Sequence, residues 1–413
     1  MKSLSDTDER LSPDGDRTPQ GSRPPTDARR PRRILKPLAP STYLIRNTGK
    51  TIPLVGVIVL AVTLVSGIIA MIDSIPYSIR TVYRYAKEET GITPRGDPTL
   101  LPQILADIRK HAPVPLERIV VCRATGSIVK SIVGKWPFLV LGLKQDDMRY
   151  YAEREGATSV LGRYPAVGKP EALISAPVAK NLDLKLGSVV LKPDDIDNYA
   201  PVPVKVVGIA QTDRWFMVDS VEFQRDNYFP PINDAMIFAR TSADQEKLDH
   251  WTVNRFKGKR PVVFAYYQIE KNTKEMFATL YAILNVVISA LALVITFMMG
   301  MLMNIYQSQR LVEFGLLQAI GYTKKQILRR VLSESVAVIA LGWILGLGLT
   351  YALLHLAKSV LMEPRAYSLD VLDRQAYLYT VPIPLCILVV ATLTVVLRFR
   401  RFDPVSVVER RLV

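Results

Sequence analysis

The stretch "RLVEFGLLQAIGYTKKQILRRV", residues 310–331, lies between two long apolar runs. It reads as helix, break, helix. Arg310, Glu313 and Gly315 open it, and Phe314, Leu317, Ala319 and Ile320 give a short apolar strip. Gly321 is the residue type that takes the left-handed conformation at a helix end. Tyr322 follows. Thr323 and Gln326 then stand at the spacing of a capping box, in which two orphan amides at a new helix start are satisfied reciprocally. Ile327 and Leu328 face inward, while Lys324, Lys325, Arg329 and Arg330 suit a membrane surface. Such a two-part connector makes sense if the runs on either side cross a bilayer.

They are long enough to do so. Leu54–Ile72 has 19 residues without a charge, which spans a hydrocarbon core of ~30 Å at about 1.5 Å per residue. Three more runs follow, within Met276–Met303, Val331–Leu354 and Tyr377–Leu397. The expected fold class is an α-helical membrane domain of four transmembrane helices, with a large α+β extracytoplasmic domain between the first and second spans. The first span with its basic approach is 41–72, the outer domain 73–275 and the second span 276–303. The connector is 304–330, the third span 331–354, a short outer loop 355–376, the fourth span 377–397 and a tail 398–413. Residues 1–40 are rich in Pro, Ser, Asp and Arg and read as a disordered cytoplasmic tail. They are too long and polar for an ordinary signal-peptide n-region, so the first apolar run is expected to be retained.

Net charge is +15, and its placement sets the orientation. Residues 1–50 carry eleven Lys/Arg against six Asp/Glu, 303–330 five against Glu313 alone, and 398–413 five against two. Residues 73–275 are nearly balanced, 29 against 25. Positive charge collects beside the spans, as the positive-inside rule requires of cytoplasmic loops. Both termini and the connector are therefore expected in the cytoplasm. A nucleic-acid partner, which a basic chain could otherwise imply, is not expected.

The outer domain alternates strand-like runs (Ile119–Cys122, Phe138–Leu141, Val204–Ile209, Ala235–Ala239) with helix-like ones (Asp146–Glu155, Ala176–Leu182, Ala243–Trp251), an α+β pattern. Its ends read as helical stalks continuing the spans, with Ile79, Val82, Tyr83 and Ala86 on one face of the first.

Chemistry-bearing motifs fail on inspection. "TGKT" at 48–51 resembles the end of a phosphate-binding loop, but Leu44 stands where the loop needs Gly. His111, His250 and His355 are scattered without ligand spacing, so neither a metal nor a cofactor is expected. Asp194, Asp195 and Asp197 lack the Gly and terminal Glu of a calcium loop. No nucleophile signature stands out, and no catalytic residue is assigned. Cys122 and Cys386 fall in different segments and are not expected to pair. Gly342 and Gly346 let two helices approach closely. Their spacing serves packing within one subunit or a dimer face equally well.

The connector itself admits two readings from physics. It could lie at the interface, its apolar side in lipid and its basic side on headgroups. Alternatively, Phe314, Leu317 and Ile320 could dock into a groove on a cytoplasmic protein, as amphipathic helices do.

Residues 310–328 resemble the signature of FtsX-like, or MacB-type, ABC transporter permeases, matching at Arg310, Glu313, Gly315, Leu317, Ala319 and Gly321. Gln318 stands where that family usually has Arg or Lys. "RNTGKTIPLVGVIVLAVTLVSG", "EALISAPVAKNLDLKLGSVV" with "VPVKVVGIAQTD", and "RFRRFDPVSVVERR" are similar to further family regions, in the right order. The resemblance implies a permease that hydrolyses nothing itself and meets a separate ABC-type ATPase through the 310–322 segment. It implies a second permease, as homo- or heterodimer, contact with membrane lipid, and room for a periplasmic adaptor. It places the protein in a bacterial plasma membrane, the inner one in a Gram-negative cell. It also implies an outer domain with a lobe inserted around 115–165. Its nearest alternative is a regulatory member acting on a cell-envelope hydrolase; a membrane-anchored binding or sensory protein without an ATPase is the alternative of another class.

Overall fold

The computed structural model describes residues 48–132, 134–228 and 232–400. The expectations for 1–40, for 41–47 of the first span's basic approach and for 401–413 of the tail lie outside the described residues. Among the described residues, four helices are long and apolar enough to cross a membrane, within Thr51–Val82, Tyr266–Ser308, Lys324–Arg365 and Arg374–Leu397. The protein is a multi-pass membrane protein. The helices are α1 (Thr48–Val82), α7 (Tyr266–Ser308), α9 (Lys324–Ala357) and α11 (Pro382–Arg400), the last preceded by the short α10 (Arg374–Leu378). At 43 residues, α7 is about 65 Å long at 1.5 Å per residue, twice what a bilayer core needs. It therefore carries its first turns beyond the apolar stretch as a rigid extension. α1 continues to Val82 despite Pro76, and a 3-10 turn (Arg84–Lys87) follows. Ile79, Val82 and Ala86 are buried, as their spacing predicts.

Packing between α1 and α9 is set by small residues. A Cβ on Gly342 would lie 2.8 Å from Ile58 Cβ, and one on Gly346 2.8 Å from Val62 Cβ. The hydroxyls of Ser66 and Thr350 meet at 2.8 Å across the same contact. The small-residue face of α9 is thus occupied by α1 of the same subunit rather than offered to a dimer partner. Gly342→Leu should destabilise the detergent-solubilised protein by about 1–3 kcal/mol through overpacking. Gly348→Leu, at a position with open space around it, should leave the melting temperature nearly unchanged. A larger loss at Gly348 than at Gly342 would mean that the helices pack differently.

Among the described residues, all strands fall in the chain interval between α1 and α7. Four of them form a split βαβ unit with two helices: β1 (Thr90–Thr93), α2 (Leu100–His111), β2 (Leu116–Ser131), β9 (Asp234–Ala239), α6 (Ser242–Phe256) and β10 (Val262–Phe264). The spatial order β10-β1-β9-β2 is antiparallel throughout. α2 presents Leu101, Ile104, Leu105 and Ile108 to the sheet, an i, i+3, i+4, i+7 pattern.

The second half of the sheet is built on the far end of β2. There β2 leaves β9 and pairs with β3 (Gly134–Leu143) from Arg123 onward. The order continues through β8 (Met217–Ser220), β5 (Glu171–Ser175), β7 (Val204–Ala210) and β4 (Val160–Gly162), with β6 (Val189–Leu191) also on β7. Three helices accompany these strands, α3 (Gln145–Arg154), α4 (Ala176–Leu182) and α5 (Val221–Asn227). This corrects the expected lobe at 115–165. β2 belongs to both halves, and β4 closes only on β7, so the inserted unit extends through α5. The reason is a single strand of 16 residues, long enough to serve two sheets.

Candidate functional site

Helix α7 ends at Ser308, and α8 (Leu311–Ala319) begins after a sharp turn at Arg310. The ending of α8 is fully accounted for by hydrogen bonds. Gly321 has φ +105°, its N–H donates to Gln318 O (2.9 Å), and Tyr322 N–H donates to Leu317 O (3.1 Å). That pair of bonds is the Schellman arrangement, for which glycine carries no Cβ penalty. α9 then starts on the expected box. Gln326 N–H donates to Thr323 Oγ1 (3.3 Å), and Thr323 N–H donates to Gln326 Oε1 (2.9 Å). The break between α8 and α9 is therefore a fixed elbow, encoded locally.

The faces of α8 differ from the sequence expectation. Phe314 is only 2% exposed and clusters with Ile327 and Val331 of α9 and Val395 of α11. It packs inside the subunit, away from the exposed face of α8. Gly315 beside it is buried too. Leu317 is half-buried and lines a notch of about 240 Å³ with Tyr322, Gln326, Ile327 and Arg330. The exposed apolar side chains are Val312 (48%), Leu316 (63%) and Ile320 (68%). These follow an i, i+4, i+8 spacing along one face, with exposed Ala319 beside them. Of the predicted strip, then, Ile320 and Ala319 face outward, whereas Phe314 and Leu317 turn in. Nine residues with apolar side chains on both sides do not fix a helix's rotation, so the phase was set by tertiary packing.

A second anchor was not expected at all. Arg310, 4% exposed, donates from Nη1 to Glu334 Oε2 at 2.6 Å and from Nε to Glu313 Oε2 at 3.0 Å. Glu334, also 4% exposed, accepts from Arg330 Nε at 3.1 Å. The Arg310 guanidinium lies over the Phe314 ring, 5.2 Å from its centroid. Burial opposes the guanidinium's charge, but Glu313 and Glu334 outweigh it and raise its pKa. The network ties the end of α7 and the start of α8 to the first turns of α9. One signal in the sequence marks it: Glu334 is an acid inside an apolar run, and such residues are seldom incidental.

Elsewhere, Cys122 is buried, Cys386 exposed, and both are free. Among the described residues no group of three or more His, Cys, Asp or Glu is placed to hold a metal.

Residues 283–404, which contain this whole arrangement, match the family model described as FtsX-like permease C-terminal. Over that stretch the chain is similar to the C-terminal part of FtsX-like permeases. No curated protein matches it. Among solved structures, the periplasmic region of MacB from Actinobacillus actinomycetemcomitans is similar at 10% identity and TM-score 0.26, over 45% of this chain and 92% of that one. The extracellular domain of the noncanonic ABC-type transporter YknZ from Gram-positive bacteria is similar at 13% identity and TM-score 0.26, over 43% and 98%. A domain of a putative permease from Porphyromonas gingivalis is similar at 11% identity and TM-score 0.21, over 43% and 86%. These likenesses are too distant to bear on function.

Proposed function

We propose that the chain is the permease subunit of an ABC transporter, passing the ATP-driven motion of a separate ATPase through α8 to a sheet domain on the outer side of a bacterial plasma membrane. A second permease subunit completes the assembly, and both termini are cytoplasmic. The observation that carries this reading is the two-sided character of α8. One side is locked to α9 and α11 by Phe314 and by the Arg310–Glu334 pair. The other side leaves Val312, Leu316 and Ile320 exposed among the described residues. A force applied to that exposed face would reach α7 and α9 without slack, and α7 runs unbroken to the edge of the sheet domain. Rigid, packed elements transmit displacement in this way, because protein interiors are dense and stiff.

The test is recovery of the ATPase in a pull-down from membranes. Leu316→Asp places a charge in the apolar contact and should release the partner, since an unpaired buried charge costs several kcal/mol. Leu317→Asp should weaken recovery less, because Leu317 faces the notch. Changing Lys324 and Lys325 together to Gln should do least, because beside lipid headgroups each contributes only about 1 kcal/mol. If Leu316→Asp retains the ATPase while the double lysine change releases it, the docking surface is the basic start of α9 and this assignment is wrong.

A further inference from the structure

A cavity of about 520 Å³ lies where the two halves of the sheet meet the ends of α1 and α7. Its size falls within the usual range of small-molecule sites, roughly 300–1,000 Å³. The walls are apolar and aromatic, with Tyr85, Trp136, Phe138 and Phe264 among the lining residues. Ile79 brings in the end of α1 and Met276 the first turns of α7.

Into this apolar space comes Glu89. Its side chain follows the 3-10 turn after α1, is 5% exposed, and leaves Oε2 without a hydrogen-bond partner. Asp234, at the start of β9, also lines the cavity and has Oδ1 unpartnered. No Lys or Arg lines it among the described residues. Glu88, the neighbour in sequence, is by contrast paired with Arg154 and Arg214. The charges acting on Glu89 are Glu155 and Asp249, both acidic. A buried acid with acidic neighbours and no counter-charge is costly unless it stays protonated or acquires a cation.

We propose that this cavity binds an apolar organic cation, whose charge pairs with Glu89 and whose body packs against the aromatic walls. Burial first, then Glu155 and Asp249, push the Glu89 carboxyl well above its ordinary range. A bound cation supplies the absent counter-charge, and aromatic faces add cation–π attraction. An anion would face two acids and no lining Lys or Arg. A neutral apolar guest would leave Glu89 Oε2 without a partner. The site is a ligand site in its own right, since binding requires no ATPase.

The experiment uses the full chain in detergent micelles and two probes of equal size and opposite charge, tetraphenylphosphonium and tetraphenylborate. Binding is followed by equilibrium dialysis, with empty micelles subtracted. The wild type should bind tetraphenylphosphonium saturably and tetraphenylborate no more than the micelles do. Glu89→Gln keeps the shape and loses the charge. It should weaken phosphonium binding by about tenfold or more, the scale of one lost charge-assisted contact. Glu153→Gln, a change at an exposed acid, should bind as the wild type does. Ala124→Trp fills the cavity from another wall and should abolish binding even where Glu89 is intact, which tests the site independently of the acid. Equal affinity for the two probes, an unchanged affinity in Glu89→Gln, or full binding in Ala124→Trp would each overturn the proposal.

Discussion

Glu334→Ala should cost the connector about 3–5 kcal/mol, because removing one partner of a buried pair strands the other. Here the group left behind is Arg310, which keeps its pairing with Glu313, an acid whose side chain is 39% exposed. That residual pairing puts the expected loss toward the lower end of the range. The effect is local, so hydrogen exchange is the measurement: amides of α8 should exchange roughly a hundredfold faster, while those of β2 and β9 stay protected. Replacing both partners with apolar residues, Arg310→Met with Glu334→Leu, should restore most of the protection, since a buried pair is often exchanged for apolar packing at little cost. Unchanged exchange in Glu334→Ala would show that Glu334 contributes nothing to holding α8.

The elbow was legible in the sequence because its determinants are local. Gly321 ends α8, and Thr323 with Gln326 starts α9, within six consecutive residues. Backbone conformation and side-chain reach decide such features before any tertiary contact forms. The four apolar helices were legible for a similar reason, since length and hydropathy act within one segment. Arg310 and Glu334, however, are 24 residues apart. Nothing in the spacing of either predicts that they meet, although an acid in an apolar run flags itself for explanation.

The outer domain shows the same division. The strand-like runs at Val204–Ile209 and Ala235–Ala239 appear as β7 and β9, because a short apolar, β-branched or aromatic run is readable within one segment. The sharing of β2 between two sheet halves was not readable. It depends on which strand pairs with which, a contact between residues more than a hundred positions apart, as with Val120 and Met236. Glu89 was hidden for the same reason. In sequence it is one acid of the pair Glu88–Glu89 on a polar stretch, and only the fold turns one toward Arg154 and Arg214 and the other into an apolar cavity.

Phe314→Ala separates the two roles that the sequence of α8 leaves superimposed. If Phe314 is the subunit's own anchor, truncation removes a buried ring from the cluster with Ile327, Val331 and Val395. Loss of a buried Phe side chain costs about 3–5 kcal/mol through lost transfer energy and the cavity left behind. The contact with the Arg310 guanidinium goes as well. The melting temperature in detergent should fall and α8 should exchange faster, whether or not an ATPase is present. Phe314→Leu keeps most of the apolar volume and should cost far less, below about 1.5 kcal/mol if the neighbours repack. Leu316→Asp should behave in the opposite way. Its side chain is 63% exposed, so the isolated subunit should keep its stability to within about 0.5 kcal/mol, yet lose its partner. The two variants thus predict a crossed result: stability lost at Phe314, association lost at Leu316. A Phe314→Ala protein that melts like the wild type but no longer recovers the ATPase would mean that the ring contacts the partner directly, and that α8 turns over when the complex forms.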